Sequence, residues 1–415
     1  MLATHTLLEE NTRSAQLMAL EDKYNAHNYH PLPVMLERGE GVFVWDVEGK
    51  RYYDFLSGYS ALNQGHCHPR IIKALIEQAQ KLTLTSRAFH NSHMGPFAQY
   101  ITQLFGYDKV LPMNSGAEAV ETAIKLARRW GYVKKGIPNN QAKIVVCDGN
   151  FHGRTVNIIS FSNDPDSHNG FGPFTPGYIS IPYNDAHALA KALQDPTICG
   201  FLVEPIQGEA GVVVPDAGYL KTCSDLCREA NVLFMADEIQ TGLARTGKML
   251  AIDHENVHAD ILILGKALSG GTLPVSAVLC NNDIMLNIKP GEHGSTYGGN
   301  PLACVVAMEA LQVLVDENMA EQAEAAGQYL REQLRALNSP FISLVRGKGL
   351  LNAIVINHPD KDAAWTLCMA MRDRGLLAKP THGDKIRFAP PLIITHQQLD
   401  ECVAIIADSL RVLEK

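Results

Sequence analysis

The 415-residue chain carries 36 Lys and Arg against 44 Asp and Glu, a formal net charge of −8, with 46% hydrophobic and 19% charged residues. That is the balance of an ordinary globular protein, too long for one hydrophobic core to serve, so a large unit with a smaller one is expected. It lacks the clustered Lys and Arg that a phosphate backbone calls for and any run of roughly 20 apolar residues, so neither nucleic acid nor a membrane is an expected partner, and a small metabolite is.

The stretch Met1 to Glu21 mixes Glu9, Glu10, Arg13 and Glu21 with short apolar pieces, unlike secretory or transit peptides, which points to a cytoplasmic chain whose folded part starts by about residue 25. Nine cysteines, spread from Cys67 to Cys402 without regular spacing, suit free thiols. Cys223 and Cys227 are expected in the core, and His66, Cys67 and His68 in a loop, since alternate residues of an extended chain point apart and cannot share a metal.

Apolar runs alternate with helical patterns through the middle of the chain, the mark of an α/β layer with a mainly parallel sheet. Expected strands are Lys143 to Cys147, Gly200 to Glu204, Val232 to Asp237 and Ile261 to Gly265, with a crossover helix from Tyr219 to Ala230. Positions 120, 123, 124 and 127 make one apolar face of a helix that follows Asn114-Ser-Gly-Ala-Glu118. Beyond Asn300-Pro301 a long apolar-periodic stretch runs towards Glu317, and an Ala- and Glu-rich helix extends to about Leu337. A strand near Leu351 to Ile356, a helix from Asp362 to Arg374, a strand at Ile386 to Phe388 and a last helix, with a capping box at Thr395 and Gln398, make a smaller α/β unit.

Three places carry potential chemistry. Lys266 stands just past an apolar strand and before Gly270-Gly271, where desolvation lowers an amine's pKa and makes it a Schiff-base former; a structural lysine is the alternative. Asp237 ends another apolar strand, and a buried carboxylate wants a cationic partner, such as a pyridinium nitrogen, unless it only caps a turn. Ser115 and Gly116 open a helix whose free N–H groups suit a phosphate, although many helices begin this way merely as caps.

Around these points stand Asn28-Tyr-His-Pro-Leu-Pro33, Asn63-Gln-Gly-His-Cys-His-Pro69, Val203 to Gly211, Ala236 to Gly247, Leu264 to Gly270, Gly294 to Pro301 and Gly383 to Pro391. Together they resemble the class III, fold-type I pyridoxal-phosphate aminotransferases over nearly the whole chain, from about Tyr24 to about Leu413. The resemblance implies a large domain, 46–310, with a mainly parallel central sheet, a smaller α/β C-terminal domain, 311–415, an N-terminal segment, 1–45, packed with the small domain, and a homodimer or higher homo-oligomer. It implies that Lys266 carries the cofactor and moves the proton and that Asp237 pairs with the ring nitrogen. Gln240 would meet the phenolic oxygen and Phe151 would stack on the ring. Ser115, Gly116 and Ala117 would bind phosphate, with Ser295 and Thr296 reaching it from a partner subunit. Two departures stand out: Ala117 replaces a hydroxyl residue common in the family, and His152 follows Phe151 where a larger aromatic is expected in animal relatives.

For the substrate, the resemblance implies transfer of the terminal amine of L-ornithine to 2-oxoglutarate, with N-acetylornithine or 4-aminobutyrate as alternative donors. Arg154 would fork onto the distal carboxylate, Tyr29 would sit near the α-amine and Tyr59 would line the pocket. Glu209 would mask Arg387 while the donor is bound and leave it when the oxoacid arrives. Surface ion pairing is the alternative for Arg154, Glu209 and Arg387. Decarboxylases and aminomutases on the same scaffold, or a non-catalytic binding protein, are the competing classes.

Overall fold

The computed structural model describes residues 12–414. At its centre lies a seven-stranded sheet in the order Lys109–Met113, Ser276–Cys280, Ile261–Leu264, Leu233–Asp237, Ile198–Val203, Lys143–Cys147, Tyr178–Ile181. Every pairing is parallel except those of Ser276–Cys280, which runs against both its neighbours. Every residue of the four strands Ile198–Val203, Leu233–Asp237, Ile261–Leu264 and Ser276–Cys280 is buried.

Alternation along each strand feeds two cores, one on each face, as expected of a sheet covered by helices on both sides. Ile144, Val146, Leu202, Met235 and Ile263 face the helix Gly116–Val133, which buries Val120, Ala123, Ile124 and Ala127 against them. Val145, Phe201, Phe234, Ala236 and Leu262 face the opposite core, which also takes in Cys223 and Cys227. The expected strands and the Tyr219–Glu229 crossover helix are all present, with ends moved by one or two residues.

A second sheet is antiparallel, in the order Ile342–Lys348, Leu351–Ile356, Lys385–Phe388, Lys379–Thr381. Helices Met319–Ala336 and Ala363–Asp373 pack beside it, and His396–Leu410, opened by the Thr395 and Gln398 capping box, packs on those two helices. Strand Ile342–Lys348 escaped the sequence reading because only Val345 of its seven residues is buried, so it shows no apolar pattern.

A third sheet, Leu36–Glu40, Phe43–Asp46, Arg51–Asp54 and Leu376–Leu377, joins the amino-terminal region to a strand more than 300 residues away. His30 stacks on Trp365, and Lys50 donates to the carbonyls of Arg372 and Asp373. The expected limit at residue 45 therefore falls inside a strand, and that at 310 falls inside the continuous helix Pro301–Asp316; the chain turns at Asn318, where φ is +50°. The helix Arg13–Tyr24 also precedes the expected start of folded sequence. It buries only Ser14, bonded through its N–H to Glu48, so no amphipathic stripe announced it.

His66 pairs with Asp54 at 2.8 Å and His68 with Glu317 at 3.1 Å, and among the described residues no group of His, Cys, Asp and Glu is arranged to hold a metal. Among the same residues no helix is long and apolar enough to cross a membrane.

Helix Met319–Ala336 meets the turn before Leu351–Ile356 backbone to backbone: a Cβ on Gly327 would overlap the carbonyl of Gly349, and one on Gly349 would overlap Thr246 and Gly247. Gly327→Ala is therefore expected to lower the melting temperature, against the roughly 1 kcal/mol that alanine gains over glycine in an open helix interior. A raised melting temperature would show that the helix can move away.

Candidate active site

Strands that run in one direction end at one edge, and the side chains there converge on a cavity of about 220 Å³. Gly116 and Ala117 follow Lys109–Met113, Phe151 and His152 follow Lys143–Cys147, Glu204 follows Ile198–Val203, Asp237 ends its own strand, and Lys266 follows Ile261–Leu264. These residues line the cavity together with Glu209, Ile239 and Gln240.

Lys266 opens a short 3-10 turn, Lys266–Ser269, with φ +43°, a left-handed value that a lysine adopts only when its surroundings impose it. Gln64 secures the turn by donating to the carbonyls of Ala267 and Ala310. Burial pushes the Lys266 amine down to about 8, partly offset by the carboxylates of Glu209 and Asp237. The structure thus places the lysine where a structural, solvated lysine would not lie.

Asp237 is 4% exposed, and its Oδ1 accepts from Ile239 N at 3.1 Å. Its Oδ2 lies 2.6 Å from Nδ1 of His152. Burial works against charge on that imidazole, yet the hydrogen bond and the charge of Asp237 hold its pKa above the usual histidine value, so Nδ1 donates. His152 entered the sequence reading only as a small substitute for an aromatic; its partner stands 85 positions away, and no local pattern signals the pair. Its Nε2 is buried without a hydrogen-bond partner.

Glu204 was also passed over. Its Oε1 accepts from Phe151 N at 2.8 Å and its Oε2 from Gly208 N at 3.3 Å, which fixes the backbone of Phe151 in the cavity wall. Burial raises its pKa to about 7, despite the nearby imidazole of His152.

At the helix amino terminus, Ser115 and Glu118 form a capping box that uses the Ser115 hydroxyl and the N–H groups of Ser115 and Glu118. The N–H groups of Gly116 and Ala117 take no acceptor among the described residues, and both residues line the cavity. A Cβ on Gly116 would press on Ile239 Cδ1 at 3.1 Å, so glycine allows the close approach. Ser295 accepts from Asn114 Nδ2 at 2.8 Å beside this same terminus, whereas Thr296 is exposed.

The last group is a buried charge network. Glu209 Oε1 receives Arg387 Nη1 at 2.8 Å and Gln240 Nε2 at 3.2 Å, while Gln240 Oε1 receives Arg387 Nη1 at 3.1 Å. Arg387 is 2% exposed, which removes surface pairing as its explanation. Desolvation alone would raise the Glu209 pKa, but Arg387 and Lys266 hold it at about 2. The Arg387 guanidinium lies 5.1 Å from the ring centroid of Tyr59, a cation–π contact. Tyr59 sits in a run, Ser57 to Ser60, whose four residues all have φ between +49° and +71°. Such a turn costs on the order of 1–2 kcal/mol per non-glycine residue. Arg154 and Tyr29 are exposed; Arg154 lies 5.6 Å from the Phe151 ring centroid, and no described carboxylate pairs with it. The structure therefore brings the cofactor and Glu209–Arg387 groups together and leaves Tyr29, Arg154 and Thr296 at the surface.

The architecture and this lysine-centred edge are those of fold-type I transferases. The aminotransferase class-III model matches residues 24–410, and the chain belongs to that family. It is 63% identical over 397 residues to an ornithine aminotransferase, mitochondrial, of Drosophila ananassae, covering 96% of this chain and 91% of that one. A solved ornithine aminotransferase of Toxoplasma gondii, described with partial occupancy of PLP at its active site, superposes with a TM-score of 0.94 at 50% identity, over 97% of this chain and 95% of that one. An acetylornithine aminotransferase of Elizabethkingia anophelis gives a TM-score of 0.88 at 59% identity, over 96% and 99%.

The residues fit pyridoxal phosphate on their own geometry. A buried amine and a buried carboxylate share one cavity with an aromatic wall and two free N–H groups at a helix amino terminus, the donor set that an aldehyde, a pyridine nitrogen, a flat ring and a phosphate require.

Beside the site, Glu238 is fully buried, and burial raises its pKa to about 7 against the bonds from Thr241 and Ile252 N. Between 4.5, its unfolded value, and about 7 the folded chain holds a proton the unfolded chain lacks, so its contribution to stability falls as pH rises through that window. Glu238→Gln removes this titration. The drop in melting temperature from about pH 5 to about pH 8 is expected to shrink in the variant, leaving the part due to Glu204. An unchanged drop would mean that Glu238 stays ionised in the folded chain.

Proposed function

We propose that this chain transfers the δ-amine of L-ornithine to 2-oxoglutarate, giving glutamate 5-semialdehyde and L-glutamate, with pyridoxal phosphate held by Lys266. The observation that carries this reading is the buried Glu209–Arg387 pair beside Lys266. A donor with its carboxylate far from the reacting amine has no use for a bare arginine next to the reaction centre, whereas 2-oxoglutarate does. A carboxylate that masks the guanidinium in one half-reaction lets one pocket serve both. The similarity to ornithine aminotransferases over nearly the full chain supports the same reading.

Pyridoxal phosphate, when bound, takes up the amino group and withdraws electrons from the carbon that loses its proton. Lys266, with its pKa near 8, is close to the operating pH and can accept and return that proton at Nζ. Asp237, oriented by His152, would pair with a ring nitrogen. Gly116 and Ala117 would hold the phosphate through their N–H groups, with Ser115, whose side chain caps the same helix, beside them. Phe151, its backbone held by Glu204, would supply the stacking face, and Gln240, beside Glu209, would meet the phenolic oxygen.

Arg154 and Tyr29 are assigned to the distal carboxylate and α-amine, and Tyr59 to the pocket wall. The exposure of Tyr29, 68%, and of Thr296 agrees with a homodimer in which each active site is completed by the partner, Ser295 and Thr296 reaching its phosphate. A cytoplasmic location is proposed on the acidic character of residues 1–21; cell fractionation tests it against the mitochondrial location in the fruit-fly relative's name.

The purified, PLP-loaded protein should lose its visible cofactor band on adding L-ornithine alone and regain it with 2-oxoglutarate. Faster bleaching by N-acetylornithine or 4-aminobutyrate would keep the class and overturn the donor. Lys266→Ala should abolish turnover with the melting profile of a folded protein; retained turnover would remove the lysine from the mechanism. Glu209→Ala should unmask Arg387 and let L-glutamate compete with ornithine at least about tenfold better, read from paired half-reaction rates. An unchanged donor preference would argue against masking.

A further inference from the structure

Among the described residues Arg245 is the largest side chain with no exposure, and no carboxylate is bonded to it, Asp54 acting on it only through its charge. Its Nε and Nη2 donate to Asn63 Oδ1 at 3.1 and 2.6 Å, and its Nη1 to the carbonyls of Leu350 at 3.0 Å and Pro390 at 2.6 Å. Burying a guanidinium against neutral acceptors alone costs free energy that an apolar side chain of similar length would not, so stability does not account for an arginine here. Burial pushes its pKa down to about 9, which leaves it charged at neutral pH.

What the fork joins is specific. Arg245 lies in the loop after strand Leu233–Asp237 of the central sheet, Leu350 ends the turn between the strands Ile342–Lys348 and Leu351–Ile356 of the antiparallel sheet, and Pro390 is three residues beyond Arg387. Asn63 ends the segment that carries Tyr59, and the same segment holds the Arg387 strand exit through Ala389 N to Phe55 O at 2.8 Å and Leu392 N to Asn63 O at 2.9 Å. Backbones already touch at this junction through Gly349, Thr246 and Gly247, so the fork sets direction where there is no room for adjustment.

We infer that Arg245 is a positioning residue for the acceptor half-reaction: its guanidinium fixes the strand exit that carries Arg387 relative to the central sheet and Lys266. A lysine would keep the charge and lose the fork, because its three N–H groups leave a single nitrogen, whereas the bonds to Asn63, Leu350 and Pro390 leave three nitrogens spread over a rigid plane. The inference rests on the reading that Arg387 receives the oxoacid carboxylate while Glu209 masks it from the donor.

The test compares the two half-reactions by single-turnover spectroscopy on PLP-loaded Arg245→Lys and Arg245→Met, after the wild type has been shown to react with L-ornithine and then with 2-oxoglutarate. A wild type inert to either compound overturns the functional reading itself. With an active wild type, the apparent Kd for 2-oxoglutarate is expected to rise at least about tenfold in Arg245→Lys while the ornithine half-reaction stays within about threefold. Equal loss in both half-reactions, or no change in either, overturns the inference. Should neither variant fold, Asn63→Ala, which removes two of the four bonds, is judged by the same split.

Discussion

The ion pair between Glu209 and Arg387 joins two sheets of different origin, and the working of the site depends on it. Glu209 belongs to the loop beyond a strand of the parallel sheet, and Arg387 to a strand of the antiparallel one. Leaving either charge alone at this depth would cost several kcal/mol, so the pair holds the two layers in register. It also sets the charge felt by Lys266: Glu209 raises the lysine pKa and Arg387 lowers it, leaving burial to decide a value near neutrality. In the proposed reaction, exchanging Glu209 for a substrate carboxylate would give one pocket two binding modes.

Around that pair the molecule concentrates its departures from relaxed geometry. Lys266 has a left-handed φ, and Ser57 to Ser60 form a left-handed turn under Arg387, with the Ser57 and Ser60 hydroxyls buried and unbonded. Asp54 restrains the turn by accepting from the N–H groups of Leu56 and Ser57, and His66 holds Asp54 in turn. Strain of this kind persists only where the surrounding structure determines it, and here three chain segments do so. His66, expected in a loop, thus serves the pocket wall through Asp54.

Much of the fold was legible because its signals are local. The inner strands Lys143–Cys147, Ile198–Val203, Leu233–Asp237 and Ile261–Leu264 are buried almost throughout and read as apolar runs, whereas Lys109–Met113 and Tyr178–Ile181 at the sheet edges are partly exposed and did not; the helix Gly116–Val133 shows its stripe every three or four residues. The edge elements were not legible: Ile342–Lys348 and Leu36–Glu40 are mostly solvated, and Leu376–Leu377 gains its meaning only from Tyr53 and Asp54. In the site, Lys266 and Asp237 announced themselves as charged residues at the ends of apolar strands. His152, Glu204 and Arg245 did not, because their partners lie 85, 53 and up to 182 residues away.

By itself, then, the sequence determined the layers, the lysine and carboxylate at the carboxyl edge, and the family whose motifs it carries, since each of these depends on residue type and near-neighbour spacing. Only the tertiary structure decided that Asp237 meets the His152 imidazole, that Arg387 is buried against Glu209, and that the Arg245 guanidinium ties Asn63 to Leu350 and Pro390. Those outcomes depend on which charges are desolvated together, and desolvation is a property of the packed chain that no stretch of residues possesses alone.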